Sequence, residues 1–296
     1  MVSHGDNTQT GGQPPPLPEY ETILLERDGP LTWLVLNRPQ RLNAMNGAML
    51  RDLAAALDDL AADRATRVIA IRGAGRAFCA GYDIERDEEE IAGLAHRSVV
   101  EDRDRLAANI DVFMKAWRHP KPVIAAVHGY CIAGGTQLAT LCDLTVVTET
   151  VKIGVPTIPV GGGYVSPMWV PLVGPKRAKQ LSFQAGQHID GVTASLWGWA
   201  NYAVPDEKIF DDVRELGHRI ARTPADVLSV KKTAVNRAAD IAGWSTIMPL
   251  GAETDAFLHN TRSVQYLNDV IKRDGLKETM RKFVAGEHQA AIDDAG

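Results

Sequence analysis

Short apolar strands alternate with helices in the first half of the chain, and this alternation limits the possible folds more than any other feature. Runs of apolar and β-branched residues at 31–36, 68–71 and 122–127 are typical of buried strands. Between them, residues 48–62 and 103–118 repeat apolar side chains at steps of three and four, which predicts amphipathic helices. Such alternation favours an α/β fold over separate layers of helices and strands.

The sequence pattern divides the chain into three regions. Residues 1–19 are polar and rich in Gly and Pro, so they cannot bury enough apolar surface to fold and are expected to form a disordered tail. Residues 20–205 carry all the strand patterns and form the expected core. Residues 206–296 contain helical patterns only. Because no Pro- or Ser-rich linker separates the last two regions, we expect them to form one covalent unit.

Charge and cysteine content exclude several classes of function. The chain has 32 Lys and Arg against 37 Asp and Glu, a formal net charge of −5, which argues against nucleic acid as a partner because that requires a basic surface. No apolar run approaches the roughly 18 residues of a membrane helix, and the first residues lack the pattern of a secretory signal. The three cysteines form no C-x-x-C pair, so we expect reduced thiols and a cytoplasmic protein. The scattered histidines predict no metal site.

Two glycine-rich turns follow predicted strands. One spans 78–84 (FCAGYDI), and the other spans 128–137 (HGYCIAGGTQ) and opens a predicted helix. Glycine lets a ligand approach the backbone closely, and the first N–H groups of a helix lack partners within the helix. Two such N–H groups that converge on one point form an oxyanion hole. A single glycine turn more often serves close packing, so the combination of motifs decides its interpretation.

Four motifs in order along the chain resemble those of the crotonase (enoyl-CoA hydratase/isomerase) superfamily. They are NRPQRLNAM at 37–45, the turn at 78–84, the strand and turn at 122–137, and Cys142 with Asp143; IGVP at 153–156 and the glycines at 161–163 extend the match. The resemblance covers roughly residues 20–285. It implies an α/β fold in which repeated β-β-α units form a spiral. It also implies that the C-terminal helical region builds a homotrimer or a hexamer.

The resemblance also implies a substrate and a set of site residues. The substrate would be an acyl-CoA thioester, with CoA arriving as part of the substrate and no permanently bound cofactor. The backbone N–H groups of Tyr82 and Gly134 occupy the positions that stabilise the enolate oxygen of the thioester. The positions that resemble CoA contacts are Arg41, Leu42, Ala44, Ala80, Asp83 and Ile84, together with Lys282 of the last helix, which would reach the CoA of a neighbouring subunit.

Both catalytic glutamates of the hydratase pattern are replaced. Gln137 stands where hydratases carry the first Glu, and Thr157 stands where they carry the second. Addition of water needs a general base and a general acid. A glutamine amide cannot accept a proton near neutral pH, and a lone threonine is not a useful base. The two-carboxylate mechanism therefore cannot operate unchanged. Tyr164, in a loop where other members place extra catalytic residues, is a further candidate.

Three interpretations remain open from the sequence. The first is an enoyl-CoA hydratase/isomerase-like enzyme that stabilises a thioester enolate. The second is a decarboxylase or carbon–carbon lyase of the same superfamily. The third is an acyl-CoA-binding homologue without catalytic activity. A serine hydrolase is disfavoured because no serine lies in G-x-S-x-G, and the chain has neither a P-loop nor a dinucleotide-binding fingerprint.

Overall fold

A six-stranded sheet forms the centre of the protein. The structure is a computed structural model that describes residues 14–83, 98–161 and 165–295. The strands of the sheet are β1 (Ile23–Asp28), β2 (Leu31–Leu36), β3 (Val68–Gly73), β4 (Val123–Val127), β6 (Leu144–Thr148) and β9 (Tyr202–Val204). Their order is β1-β2-β3-β4-β6-β9. The first pair is antiparallel and every later pair is parallel, as expected where helices connect the strands.

A second, three-stranded sheet lies beside the first. It contains β5 (Tyr130–Ile132), β7 (Lys152–Gly154) and β8 (His188–Ile189) in the order β5-β7-β8. Along the chain, a strand of the large sheet is followed by a strand of the small sheet and then by a helix. This order recurs at β4 and β5 and again at β6 and β7. The predicted spiral of β-β-α units is thereby confirmed.

Helices surround the two sheets and make up all regular structure after residue 208 in the described part of the chain. Those of the first part are α1 (Gly47–Ala62), α2 (Val99–Arg118), α3 (Gly134–Thr140), α4 (Val165–Ser182), α5 (Gly191–Trp197) and α6 (Ile209–Ile220). The C-terminal helices are α7 (Ala225–Ile241), α8 (Trp244–His259), α9 (Arg262–Asp274), α10 (Leu276–Val284) and α11 (Gln289–Ala295). Helix α8 returns to the core and packs along α2 and α4.

Hydrophobic residues pack on both faces of the large sheet. All six residues of β2 are buried, and because successive side chains of a strand point to opposite faces, they divide between two clusters. Leu34 and Leu36 join the larger cluster with α1, α2 and α8. Trp33 and Val35 join the smaller cluster beneath α6. Because both faces of these strands are buried, their sequences are continuous runs of apolar residues and do not alternate between apolar and polar residues.

The expected helices over 48–62 and 103–118 are present as α1 and α2, each with a side-chain cap. The Asn46 side chain accepts a hydrogen bond from the N–H of Met49 at the start of α1. Ser98 and Glu101 form a capping box at the start of α2, which satisfies two otherwise unpaired donors. Of the predicted tail, residues 1–13 lie outside the described residues. Residues 14–18 form no helix or strand, and Leu17 among them packs against the core.

The described residues contain no membrane-spanning helix and no cluster of metal-binding side chains. None of the helices within 14–83, 98–161 and 165–295 combines the length and the apolar character needed to cross a bilayer. Over the same ranges, no three His, Cys, Asp or Glu side chains meet in an arrangement that could hold a metal ion.

Candidate active site

The segment at 37–45 takes its shape from a buried asparagine. Leu42 and Asn43 both have left-handed backbone angles, with φ of 50° and 56°, a conformation that asparagine tolerates better than most residues. The Asn43 amide donates to the carbonyls of Ala74 and Ala77, and its Oδ1 accepts from the N–H of Arg38. These three hydrogen bonds fix the segment against the turn that follows β3.

Five of the positions that resemble CoA contacts come together here. The N–H of Ala80 donates to the carbonyl of Leu42 at 3.0 Å. The carboxylate of Asp83 pairs with Arg41 at 3.3 Å and with Arg38 at 2.8 Å. Arg38 also donates to the carbonyl of Ala44. Arg41, Leu42, Ala44, Ala80 and Asp83 therefore form one group. The side chain of Arg41 is 32% exposed, so its cation stays within reach of an anionic ligand. Ile84 lies outside the described residues.

Tyr82 follows a glycine that no other residue replaces easily. Gly81 has φ of 102°, and a Cβ built on it would lie 3.1 Å from the Ile132 carbonyl and 3.6 Å from the nitrogen of Gly134. Met45 donates to the carbonyl of Gly81 and accepts from the N–H of Asp83. Because Met45 binds the groups on both sides of Tyr82, the N–H of Tyr82 itself points away from Met45.

Gly134 begins α3 directly opposite Tyr82. A Cβ built on Gly134 would lie 2.7 Å from Cε of Met45 and 3.1 Å from Cε2 of Tyr82, so only glycine fits here without a shift. The preceding Ala133 has φ of 46° and gives no side-chain cap to the helix. No hydrogen bond joins the N–H of Tyr82 or of Gly134 to an acceptor in the described part of the chain. Both donors are thus available in one small region, as an oxyanion hole requires.

The side chain of Tyr82 closes over Gln137, a contact that the sequence did not predict. The phenol hydroxyl donates to Oε1 of Gln137 at 2.8 Å, and Gln137 is buried with 3% exposure. Burial raises the pKa of Tyr82, and the carboxylate of Asp255 adds to that rise. The phenol therefore keeps its proton near neutral pH and acts as a hydrogen-bond donor to the amide.

The other predicted site residues are placed differently. Thr157 follows β7 and lies beside Gly186, where an added Cβ would come within 3.3 Å of the Thr157 Cα. Within the described residues, no hydrogen bond joins Thr157 to Tyr82 or Gln137. Lys282 lies in α10 and pairs with Asp274 at 2.8 Å, so it is engaged among the C-terminal helices of its own chain. Tyr164 lies outside the described residues.

A charged cluster lies between α2 and α8, and no sequence pattern predicted it. Asp102 Oδ2 lies 2.6 Å from Nδ1 of His259, and Asp102 Oδ1 accepts two hydrogen bonds from Arg105. Burial raises the pKa of Asp102, but the hydrogen bonds from His259 and Arg105 outweigh it and lower the pKa to about 2. Asp102 is therefore a carboxylate at neutral pH. Its partner is 157 positions away in the sequence, and no local pattern marks such a pair.

The sequence is similar to those of known enoyl-CoA hydratases. The sequence model of the family described as Enoyl-CoA hydratase/isomerase matches residues 27–265. A Rhizobium meliloti protein named "Probable enoyl-CoA hydratase" is 34% identical over 231 residues, which cover 75% of this chain and 84% of that protein. A Syntrophomonas wolfei crotonyl-CoA hydratase is 33% identical, covering 80% of this chain and 89% of that protein.

The fold is also similar to that of a solved protein described as a putative enoyl-CoA hydratase/isomerase. A crystal structure of a Novosphingobium aromaticivorans protein superposes with a TM-score of 0.82 at 37% identity, covering 88% of this chain and 94% of that one. Because the family model matches residues 27–265 and relatives of 34% and 37% identity cover most of this chain, the chain belongs to the enoyl-CoA hydratase/isomerase family of the crotonase superfamily.

Proposed function

We propose that this protein is an acyl-CoA enzyme that stabilises a thioester enolate on the backbone N–H groups of Tyr82 and Gly134. The observation that carries the proposal is the close approach of Gly81 and Tyr82 to the start of α3, where a Cβ on Gly134 would touch the Tyr82 ring. Two donors at one point can bind the oxygen of a thioester carbonyl as negative charge develops on it.

The group formed by Arg41, Leu42, Ala44, Ala80 and Asp83 supports CoA as the carrier of the substrate. These residues border Tyr82 through the hydrogen bonds of Met45. The exposed cation of Arg41 could bind a phosphate of CoA. CoA would therefore bind beside the thioester site as part of the substrate.

The chemistry that follows the enolate differs from that of a two-glutamate hydratase. Gln137 is held by the Tyr82 hydroxyl, and an amide in this contact cannot take a proton from water. This observation favours weak hydration by the unchanged chain. A second candidate is therefore an acyl-CoA-binding homologue without catalytic activity. Decarboxylation and carbon–carbon cleavage are further candidates, because these enolate reactions need no activated water.

Ligand-induced stabilisation tests acyl-CoA binding. Butyryl-CoA or crotonyl-CoA at about 100 times its dissociation constant is expected to raise the free energy of unfolding by about 2.7 kcal/mol, because it binds only the folded state. Thermal unfolding with and without each thioester measures this, and the matching free acids without CoA serve as controls. A melting transition that no acyl-CoA of a broad panel moves would contradict the proposal.

A further inference from the structure

The amide of Gln137, beside the proposed oxyanion hole, uses only one side of its hydrogen-bonding capacity. A glutamine amide has one acceptor oxygen and two N–H donors. Its Oε1 accepts from the Tyr82 hydroxyl at 2.8 Å, whereas neither N–H reaches an acceptor within residues 14–83, 98–161 and 165–295. Gln137 is only 3% exposed, and an unpaired donor at a buried position costs free energy. The two N–H groups are therefore suited to pair with a ligand.

The amide nitrogen of Gln137 borders open space. The described part of the chain contains a few polar side-chain atoms that are both enclosed by protein and unpartnered, and Nε2 of Gln137 is not among them. The amide also cannot turn round without a cost, because its oxygen is the acceptor that the Tyr82 hydroxyl uses. The hydroxyl thus holds the oxygen and leaves the nitrogen for a ligand.

Direct contacts place this amide next to the two oxyanion donors. Gly134 and Gln137 are three residues apart in α3, so they lie on the same face of the helix. The ring of Tyr82 crosses that face: its Cε2 would lie 3.1 Å from a Cβ on Gly134, and its hydroxyl contacts Gln137. Three residues of helix rise about 4.5 Å. An acyl group whose thioester oxygen binds at Gly134 therefore reaches the amide within a few bonds.

We propose that the amide N–H groups of Gln137 bind a carbonyl oxygen on the third carbon of the acyl group, so that the substrate class of this site is a β-ketoacyl-CoA. This inference rests on the proposed function. The third carbon is two bonds from the thioester carbonyl carbon, and its oxygen can reach the amide while the thioester oxygen stays at Tyr82 and Gly134. Gln137 is then a specificity-determining residue, and Tyr82 is its positioning residue through the hydroxyl.

The same geometry disfavours two related classes of thioester. A saturated acyl chain has no acceptor for the amide, and a site that hydrogen-bonds a substrate group rejects the analogue without that group. A carboxylate on the same carbon would accept the hydrogen bond, but it would bring a charge that a neutral amide does not balance. Acetoacetyl-CoA, butyryl-CoA and malonyl-CoA represent the three classes.

The test is calorimetric titration of the protein with each of these three thioesters. Wild type is expected to bind acetoacetyl-CoA about 10–100-fold more tightly than butyryl-CoA, the factor that follows from leaving a buried donor unpaired. It should also bind acetoacetyl-CoA more tightly than malonyl-CoA. Gln137→Met has no N–H in its side chain and should bring the ratio of the acetoacetyl-CoA and butyryl-CoA affinities close to one, with butyryl-CoA binding near wild type.

Tyr82→Phe tests the positioning role and keeps the test open if Gln137→Met does not fold. It retains the ring and the backbone N–H of residue 82 and removes the hydroxyl that holds Oε1. The affinity ratio is expected to fall between the values of wild type and Gln137→Met, a change in selectivity that a merely structural role would not produce. Melting temperatures show that each variant is folded.

Tyr20→Phe is the matched control. The Tyr20 hydroxyl donates to Asp59 of α1 at 2.5 Å, so this variant also loses one phenol hydrogen bond, but the bond does not involve α3. Its affinity ratio should equal that of wild type.

Four results would overturn the inference in whole or in part. Equal affinity of wild type for acetoacetyl-CoA and butyryl-CoA, or a wild-type ratio retained in Gln137→Met, would contradict the role of the amide. Tighter binding of malonyl-CoA than of acetoacetyl-CoA would make the bound group a carboxylate, and an unchanged ratio in Tyr82→Phe would contradict the positioning role. Failure of wild type to bind any of the three thioesters would instead contradict the proposed function, so the two failures are distinguishable.

Discussion

At position 137 the side-chain amide and its phenol partner define what the site can do. The Tyr82 hydroxyl donates to Oε1 of Gln137 at a buried position, so the amide oxygen is a paired hydrogen-bond acceptor rather than a base. A buried polar pair of this kind is stable because each group meets the other's requirement. The Gln137 amide is therefore held in place by the hydroxyl of Tyr82.

Restoring both carboxylates should restore hydration. Gln137→Glu combined with Thr157→Glu is expected to raise the rate of crotonyl-CoA hydration at least about tenfold above the parent, because general acid and base groups each contribute about 10²–10⁴-fold. The Tyr82 hydroxyl would donate to the new carboxylate and hold it in place. Absorbance of the conjugated thioester measures the loss of the double bond.

The double variant Gln137→Met with Thr157→Val is the control, since it changes the same positions without adding an acid. It should show no gain. A parent rate equal to that of its glutamate variant, or a glutamate variant no faster than the control, would contradict the account of Gln137 and Thr157.

At the scale of single elements, long apolar segments could be predicted and short strands could not. Helices α1 and α2 follow from the repeat of their apolar residues, and strands β2, β3 and β4 follow from unbroken apolar runs bounded by turn residues. Strands β5, β7 and β8 contain three, three and two residues. They form through pairing with distant segments, so alternation within the chain could not reveal them.

In the candidate site, too, some features could be predicted from the sequence and others could not. The glycine turns around positions 81 and 134 could be predicted because each follows an apolar strand, and the structure brings Tyr82 and Gly134 close together. The Tyr82–Gln137 and Asp102–His259 contacts could not, because each joins elements that are distant in sequence. Local patterns thus located the backbone of the site, whereas its side-chain contacts depend on how segments distant in sequence pack together.

At the scale of the whole molecule, α7 presents an uncovered apolar surface. Val230, Val235 and Ile241 are 70%, 66% and 90% exposed, and none of its residues is buried. Exposed apolar side chains on a helix suit contact with a second copy of the chain. The homotrimer or hexamer implied by the resemblance stays a prediction.

The stability of the whole molecule at acidic pH depends on a buried histidine that connects three elements of the fold. His119 ends α2, donates to the carbonyl of Leu57 in α1 and accepts from the N–H of Lys121 before β4. Burial lowers its pKa from 6.5 to about 4, and the nearby cations of Lys232 and Lys121 act in the same direction. Folding therefore requires the neutral ring.

The sign of the resulting pH dependence follows from proton uptake. Between pH 6.5 and 4 the unfolded chain binds a proton at His119 that the folded chain does not. The free energy of unfolding is therefore expected to fall by about 3 kcal/mol as the pH decreases through this window. Urea unfolding at a series of pH values measures this dependence.

His119→Gln removes the titration of this ring and should make the dependence shallower, although burial also lowers the pKa of His128 and of His188, which keep part of it. The substitution also lowers stability at neutral pH by disturbing the packing. His218→Gln, at a 40% exposed side chain, is the control that should leave the dependence as in wild type. An equally steep loss of stability in His119→Gln would contradict this assignment.

Vibrational spectroscopy of a bound thioester tests the central claim most directly. Two backbone donors that polarise the carbonyl should move the stretching frequency of an isotope-labelled butyryl-CoA carbonyl below its value in water. Gly134→Ala, whose methyl would lie 2.7 Å from Cε of Met45, should reduce or abolish the shift. Gly47→Ala should keep it, because its methyl meets only the flexible tip of Arg51. A bound carbonyl that vibrates as in water, or one equally shifted in Gly134→Ala, would contradict the oxyanion hole at Tyr82 and Gly134.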